Sequence, residues 1–131
     1  MTTYALDTNT LSYFLRGEGR VAQRLASTSP QRVAVPAIVA HEIRYGLIRA
    51  GREGLATAFE RMLQAATVLG FDAEAAQHAA DIRTRLDAAG TPIGPHDVLI
   101  AATVRRHGCT LVTHNTREFS RVPGLLLEDW Y

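Results

Sequence analysis

The amino-acid sequence predicts an α/β protein in three layers, a short and mostly parallel sheet with helices on both faces. Three observations carry that prediction. Apolar runs of strand length alternate along the chain with longer runs of helical periodicity, the pattern of crossover connections. Helix punctuation falls where those longer runs begin or end, with Pro36, Asp72 and Pro95 at starts and Gly51, Gly90 and Gly108 just past ends. At 131 residues, 47% hydrophobic and 21% charged, the chain reads as a single domain over 1–131 that can bury a core without disulfides or a structural metal.

Each element has its own reason. Tyr4-Ala5-Leu6 is a strand-like run ending on the carboxylate of Asp7, after which Thr8, Asn9 or Thr10 can cap a short helix over Thr10 to Leu15. Gly17 and Gly19 stop that helix, and Val21-Ala22-Leu25-Ala26 offers another helical face before the Ser27–Pro30 loop. Arg32 to Val35 is the second strand, and Pro36 opens a helix to about Ala50. A further helix spans about Glu53 to Ala66, and Thr67-Val68-Leu69 is a short strand. Asp72 caps a long helix from Ala73 to Ala89 and Pro95 starts one to His107. Thr110 to Thr113 is a strand, His114 to Thr116 a turn, Arg117 to Phe119 a helical turn, and Leu125 to Leu127 a last strand.

Composition excludes several classes of function. There is no apolar run long enough to cross a bilayer and no basic segment followed by an apolar signal core, so the expectation is a cytoplasmic protein away from membranes. Cys109 is the sole cysteine, which rules out a disulfide framework or a thiolate metal site and makes it a small buried hydrophobe. All 14 basic residues are arginine, so any mechanism that needs a lysine is out. A formal charge of +1 gives no overall basic signature.

The carboxylates are informative because some stand where a charge is costly. Ligands of open α/β sheets sit outside the carboxyl ends of the strands, and Asp7 stands at such an end. Glu42 has Ile38, Val39, Tyr45 and Gly46 as helical neighbours, in the middle of an apolar stripe. Asp97 lies in the first turn of its helix beside Val98, Leu99, Ile100 and Ala101. Singly, these have ordinary explanations: Asp7 as a turn residue or cap, Asp97 as a partner of the helix dipole, and Glu42 as a partner of Arg44 or another arginine. Asp81, Glu60 and Asp87, by contrast, have mostly polar or small neighbours on solvated faces. Acids at a strand end, inward on a helix and at a helix start together point to one hard cation, Mg²⁺ or Mn²⁺, and to metal-assisted hydrolysis of a phosphate ester. His96 and His114 lie beside these segments as ligands, bases or surface residues; His41, His78 and His107 have no assigned role.

Four segments then resemble PIN-domain ribonucleases of the VapC toxin type. They are Leu6 to Asn9, Pro36 to Gly46, Ile93 to Ala102 and Leu111 to Leu125, in family order over nearly the whole chain. The resemblance implies a PIN fold with Asp7, Glu42 and Asp97 as metal ligands and, with Asn115, as catalytic residues. Asn115 stands where many members carry a fourth acid; it keeps a carbonyl oxygen for a metal or its water, while fewer charges hold a second cation less firmly. Asn9 and Thr113 are implied as positioning residues, and Arg44 and Arg117, with Arg16 and Arg121 behind them, as phosphate contacts. Similar proteins cut single-stranded or looped RNA, often tRNA, to 5′-phosphate and 3′-hydroxyl ends, form homodimers, and are inhibited by a VapB antitoxin. Two rivals remain at this point. Asp7-Thr8-Asn9-Thr10 is similar to the nucleophile loop of haloacid dehalogenase-type phosphatases, but lacks the second acid at Asn9 and any lysine. A catalytically silent PIN module binding RNA or protein is the other, favoured by the neutral Asn115.

Overall fold

A computed structural model describes residues 1–131. Five strands form the sheet: β1 (Tyr4–Leu6), β2 (Val33–Pro36), β3 (Thr67–Leu69), β4 (Thr110–Val112) and β5 (Leu126–Glu128). The helices are α1 (Thr8–Arg16), α2 (Val21–Ala26), α3 (Ala37–Ala50), α4 (Glu53–Ala65), α5 (Ala73–Ala88), α6 (Pro95–Arg106) and α7 (Thr116–Phe119), with a single 3-10 turn at Pro30–Arg32. Strand order is β3-β2-β1-β4-β5, and every pairing is parallel, so the mostly parallel expectation becomes an entirely parallel sheet.

This order places the site. From β1 the chain steps outward through β2 to β3, then crosses back over β1 to β4 and β5. Right-handed crossovers therefore put the helices before β3 on one face and those after it on the other. The packing agrees: α1 meets α2, α3 and α4, while α5 packs on α6. The direction of winding reverses between β1 and β4, the position where open α/β sheets form a crevice. Tyr4 lies opposite Thr110 and Leu6 opposite Val112, so Asp7 and Thr113 leave the sheet side by side. The Asp7 amide also donates to the Val112 carbonyl at 3.1 Å.

The core explains why strands of three or four residues suffice. Leu6, Leu111 and Val112 are fully buried in the sheet, and Leu11, Val39, Ile82, Ile100 and Val104 close over it from the helices. Phe59, Phe119 and Trp130 complete the core. At about 1.5–3 kcal/mol per large apolar side chain, this burial outweighs the weak pairing of such short strands. Cys109 is buried, as expected, and burial raises its thiol pKa.

Several ends shift by a single residue, the last strand among them (Leu126–Glu128 for Leu125–Leu127), and two boundaries differ for a clear physical reason. Pro36 does not open α3 but finishes β2, in register with Leu69, its extended backbone (φ −59°, ψ 140°) suiting a strand end. The cap of α1 is none of Thr8, Asn9 or Thr10. Asp7 itself is extended (φ −81°, ψ 175°) and its Oδ1 accepts from the Thr10 amide at 2.8 Å, so α1 starts two residues earlier than expected. Asp72 caps α5 in the same way, accepting from Ala75 at 2.8 Å.

Candidate active site

Asp7 serves two purposes. One carboxylate oxygen caps α1, which leaves the other for the crevice, and only 5% of the residue is exposed. The hydroxyl of Thr10 donates to the Val112 carbonyl at 3.1 Å, tying the start of α1 to the end of β4. Burial raises the Asp7 pKa; hydrogen bonding from Thr113 and Thr10 works against that rise, and the charge of Asp129 adds to it.

Glu42 reaches the same place from the second turn of α3. The apolar stripe that made it suspect is real, since Val39, Ala40 and Ile43 are buried around it. Its side chain is 25% exposed, and Oε1 is buried without any hydrogen-bond partner. His96 Nδ1 stands 3.6 Å from that oxygen, close enough for charge attraction and too far for a hydrogen bond. Arg44 is not its partner. The guanidinium of Arg44 forks onto Glu60 on α4, at 2.9 and 2.6 Å.

Asp97 arrives in the first turn of α6, whose Gly94 cap supplies no side-chain hydrogen bond. Its pKa is raised to about 6, first by burial, then by the like charges of Asp7, Glu118 and Glu42, with His96 pulling the other way. Asp7, Glu42 and Asp97 share a polar cavity of about 200 Å³ with Thr8, Asn9 and Asn115, where Phe119 is the one apolar residue. Thr8 Oγ1, like Glu42 Oε1, is buried there without a partner.

Asn115 precedes α7 and is held by two bonds. Its amide N–H donates to Thr113 Oγ1 at 3.0 Å, and its side-chain nitrogen donates to Glu118 Oε2 at 3.0 Å. The side-chain oxygen is left as an acceptor. Thr113 is fully buried and lies behind the cavity rather than lining it. Arg44 and Arg117 are both exposed and outside the cavity. Arg16 lies instead in an adjoining groove of about 260 Å³ that shares Thr8 and Glu42 and also contains Arg52, Leu15, Leu47 and Leu55.

Glu118 was missed from the sequence. The signal was its i,i+3 spacing from Asn115, which sets the two on one face of a helical turn. With Glu118 the neutral Asn115 is flanked by an acid, so negative charge is restored one helical turn away.

The donors fit a hard divalent cation. No three Asp, Glu, His or Cys side chains form a ready-made cage, so any ion would keep several waters, as Mg²⁺ does in sites with few protein ligands. The unpartnered Glu42 oxygen and the mutual repulsion that raises Asp97 are what a cation would relieve.

Comparison with known proteins identifies the family. The sequence pattern of the PIN domain matches residues 4–125. The chain belongs to the PIN-domain family. Within it, the relatives are VapC-type proteins. A curated relative from Salmonella typhimurium, named tRNA(fMet)-specific endonuclease VapC, is 34% identical over 99% of both chains. Ribonuclease VapC2 from Haemophilus influenzae is 31% identical, again over 99% of both. Among solved structures, DNA-bound VapBC from Salmonella typhimurium superposes with a TM-score of 0.91 at 33% identity, covering 100% of each chain. VapBC2 from Rickettsia felis bound to a promoter DNA fragment gives 0.91 at 29%, covering 99% of this PIN domain and 100% of that chain.

Proposed function

We propose that this PIN domain is a divalent-cation-dependent endoribonuclease of the cytoplasm, the toxin of a toxin–antitoxin pair, with Mg²⁺ or Mn²⁺ bound at the acid cavity. The observation that carries the reading is the convergence of Asp7, Glu42 and Asp97 from three elements on one cavity without an arginine, where a Glu42 oxygen has no partner. Those carboxylates would hold the ion directly or through water. When bound, it supplies charge neutralisation at the scissile phosphate and a more acidic water.

The chain's own residues do the rest. The Thr10 amide fixes Asp7 so that its second oxygen faces the cavity. Glu118 fixes the Asn115 amide, whose free oxygen orients the attacking water, with Asn9 at the cavity wall and Thr113 setting the Asn115 backbone. In-line attack on phosphorus with departure of the 3′ oxygen gives a 5′-phosphate and a 3′-hydroxyl. The substrate class is tRNA, by analogy with the Salmonella relative. The partner is a VapB-type antitoxin, as in the VapBC assemblies, and a homodimer is the active species that the resemblance to VapC toxins implies.

The test is incubation of the purified protein with total tRNA and Mg²⁺, followed by mapping of the ends. Discrete 5′-phosphate ends that vanish with EDTA and in Asp97→Asn are the expected result. Intact tRNA at all metal concentrations, with retained RNA or antitoxin binding, would turn the assignment to a silent binding module.

A further inference from the structure

One constellation next to the cavity is unused by the mechanism above. His114 directly precedes Asn115, and its ring stacks on Tyr131 with centroids 4.4 Å apart and planes 24° from parallel. Tyr13 meets both rings edge-on, at 6.0 Å from His114 and 4.8 Å from Tyr131. Tyr13 lies one helical turn beyond Asn9, on the same face of α1, so the cluster continues the cavity wall. Asp129 connects the two further: it bonds His114 Nδ1 at 2.9 Å, and its charge is felt by Asp7.

The cluster is fixed rather than loosely exposed. The Tyr131 amide donates to Asp129 at 3.0 Å and its hydroxyl to Glu18 at 2.9 Å, while Arg20 Nε donates to the Tyr131 carbonyl at 3.2 Å. Gly19, at φ +67°, leaves room for it, since a Cβ there would stand 3.1 Å from the Tyr131 carbonyl carbon. Yet the His114 side chain remains 46% exposed with Tyr131 against one side of it. Arg16, paired with Glu18 at 3.1 Å, extends over the Tyr13 ring at 5.5 Å and so places a guanidinium beside the rings. A rigid, half-open ring backed by a second ring and flanked by guanidinium is the arrangement that holds single-stranded nucleic acid, where each base stacks and the backbone follows positive charge. Aliphatic side chains of a protein partner have no comparable use for it.

We propose that the open side of His114, braced by Tyr131 and Asp129, is a stacking subsite for a nucleobase next to the bond cut at the acid cavity. The inference rests on the reading of that cavity as an RNA-cleaving site.

Binding is measured by anisotropy in the Asp97→Asn background, with a labelled single-stranded oligoribonucleotide of about ten nucleotides and a set in which single abasic nucleotides are walked along it. Cleavage by the otherwise unchanged protein is followed separately. His114→Ala weakens binding about tenfold, and His114→Phe, which equally loses the Asp129 bond but keeps a ring, recovers most of it. One abasic position costs the His114-containing protein the same factor and costs His114→Ala almost nothing. Equal losses in the Ala and Phe variants, or unchanged affinity in both, overturn the subsite while leaving the nuclease reading intact. Loss of antitoxin affinity with unchanged RNA affinity overturns it too, in favour of a protein-docking surface. Absent cleavage with the binding pattern retained removes the nuclease reading and overturns the placement beside a cut bond, leaving only base stacking at His114.

Discussion

Two aspartates at opposite ends of helical contacts show what is unusual about the cavity. Asp81 on α5 accepts from Arg85 Nε at 2.8 Å and from Arg105 Nη2 at 2.8 Å, and these guanidinium groups hold its pKa below the ordinary value. Asp97 on α6 meets only like charges and a half-exposed histidine, and its pKa rises to about 6. Several other acids follow Asp81: Glu60 pairs with Arg44, Glu128 with Arg24, and Asp72 and Glu74 with Arg106. With 14 arginines against 13 acids, the cavity stands apart because it gathers three acids and no arginine lines it. A protein that only needed stability would not leave such acids together; the cation proposed above would account for them.

The largest expected effect breaks the contrast at Asp97. Asp97→Asn or Asp7→Asn lowers the cleavage rate by about two to three orders of magnitude, measured as initial rates on tRNA, while Asp81→Asn reduces thermal stability and leaves the rate near the starting value. Next comes the second acid layer. Glu118→Gln, which keeps a hydrogen-bond acceptor for Asn115 but removes the charge, costs about 10- to 100-fold in Mg²⁺ affinity or rate, read from Mg²⁺ titrations of activity.

Stability responds to the same cation. Mg²⁺ at a hundredfold excess over its Kd adds about 2.7 kcal/mol to unfolding free energy, and this gain shrinks in Asp97→Asn; equal shifts in both proteins on calorimetry would place the ion elsewhere. The pH response then separates the two aspartates. Because the folded Asp97 pKa of about 6 lies above its ordinary value of 3.8, the native state binds the proton more tightly than the unfolded chain. Its contribution favours the metal-free fold at the acidic end and is lost as pH rises from about 4 through about 6. Asp81 has the opposite sign, stabilising above its ordinary pKa and losing that contribution as pH falls below it. Melting curves in EDTA therefore show an excess slope in this window that Asp97→Asn removes. Smallest is Arg44→Ala, which breaks an exposed pair with Glu60 and changes stability by about 1 kcal/mol or less.

Much of this was legible from the residues because local rules and tertiary demands agree. Thr67–Leu69, Asp72 as a cap and Pro95 as a first helical residue are where periodicity and punctuation place them. Glu42 stood out because its neighbours at three and four residues are apolar, a test that needs one helix alone. What escaped depends on distant chain. Four consecutive residues can cap α1, and the pairing of β1 with β4 selects Asp7. The engagement of Arg44 by Glu60 depends on how α3 meets α4. Glu118 belongs to a four-residue helix, too short for periodicity to mark it, and its spacing from Asn115 was the one local signal.

The central position of β1 has a consequence for biosynthesis. Its hydrogen-bonded neighbour on one side, β4, is made about a hundred residues later, and the Thr10 hydroxyl that steadies α1 finds its acceptor at Val112. A growing chain emerging from the ribosome thus holds Asp7, Glu42 and Asp97 in its sequence well before it holds them in one place. Such non-local closure is a late event in folding, so the acid cavity is completed only once β4 is available to pair with β1.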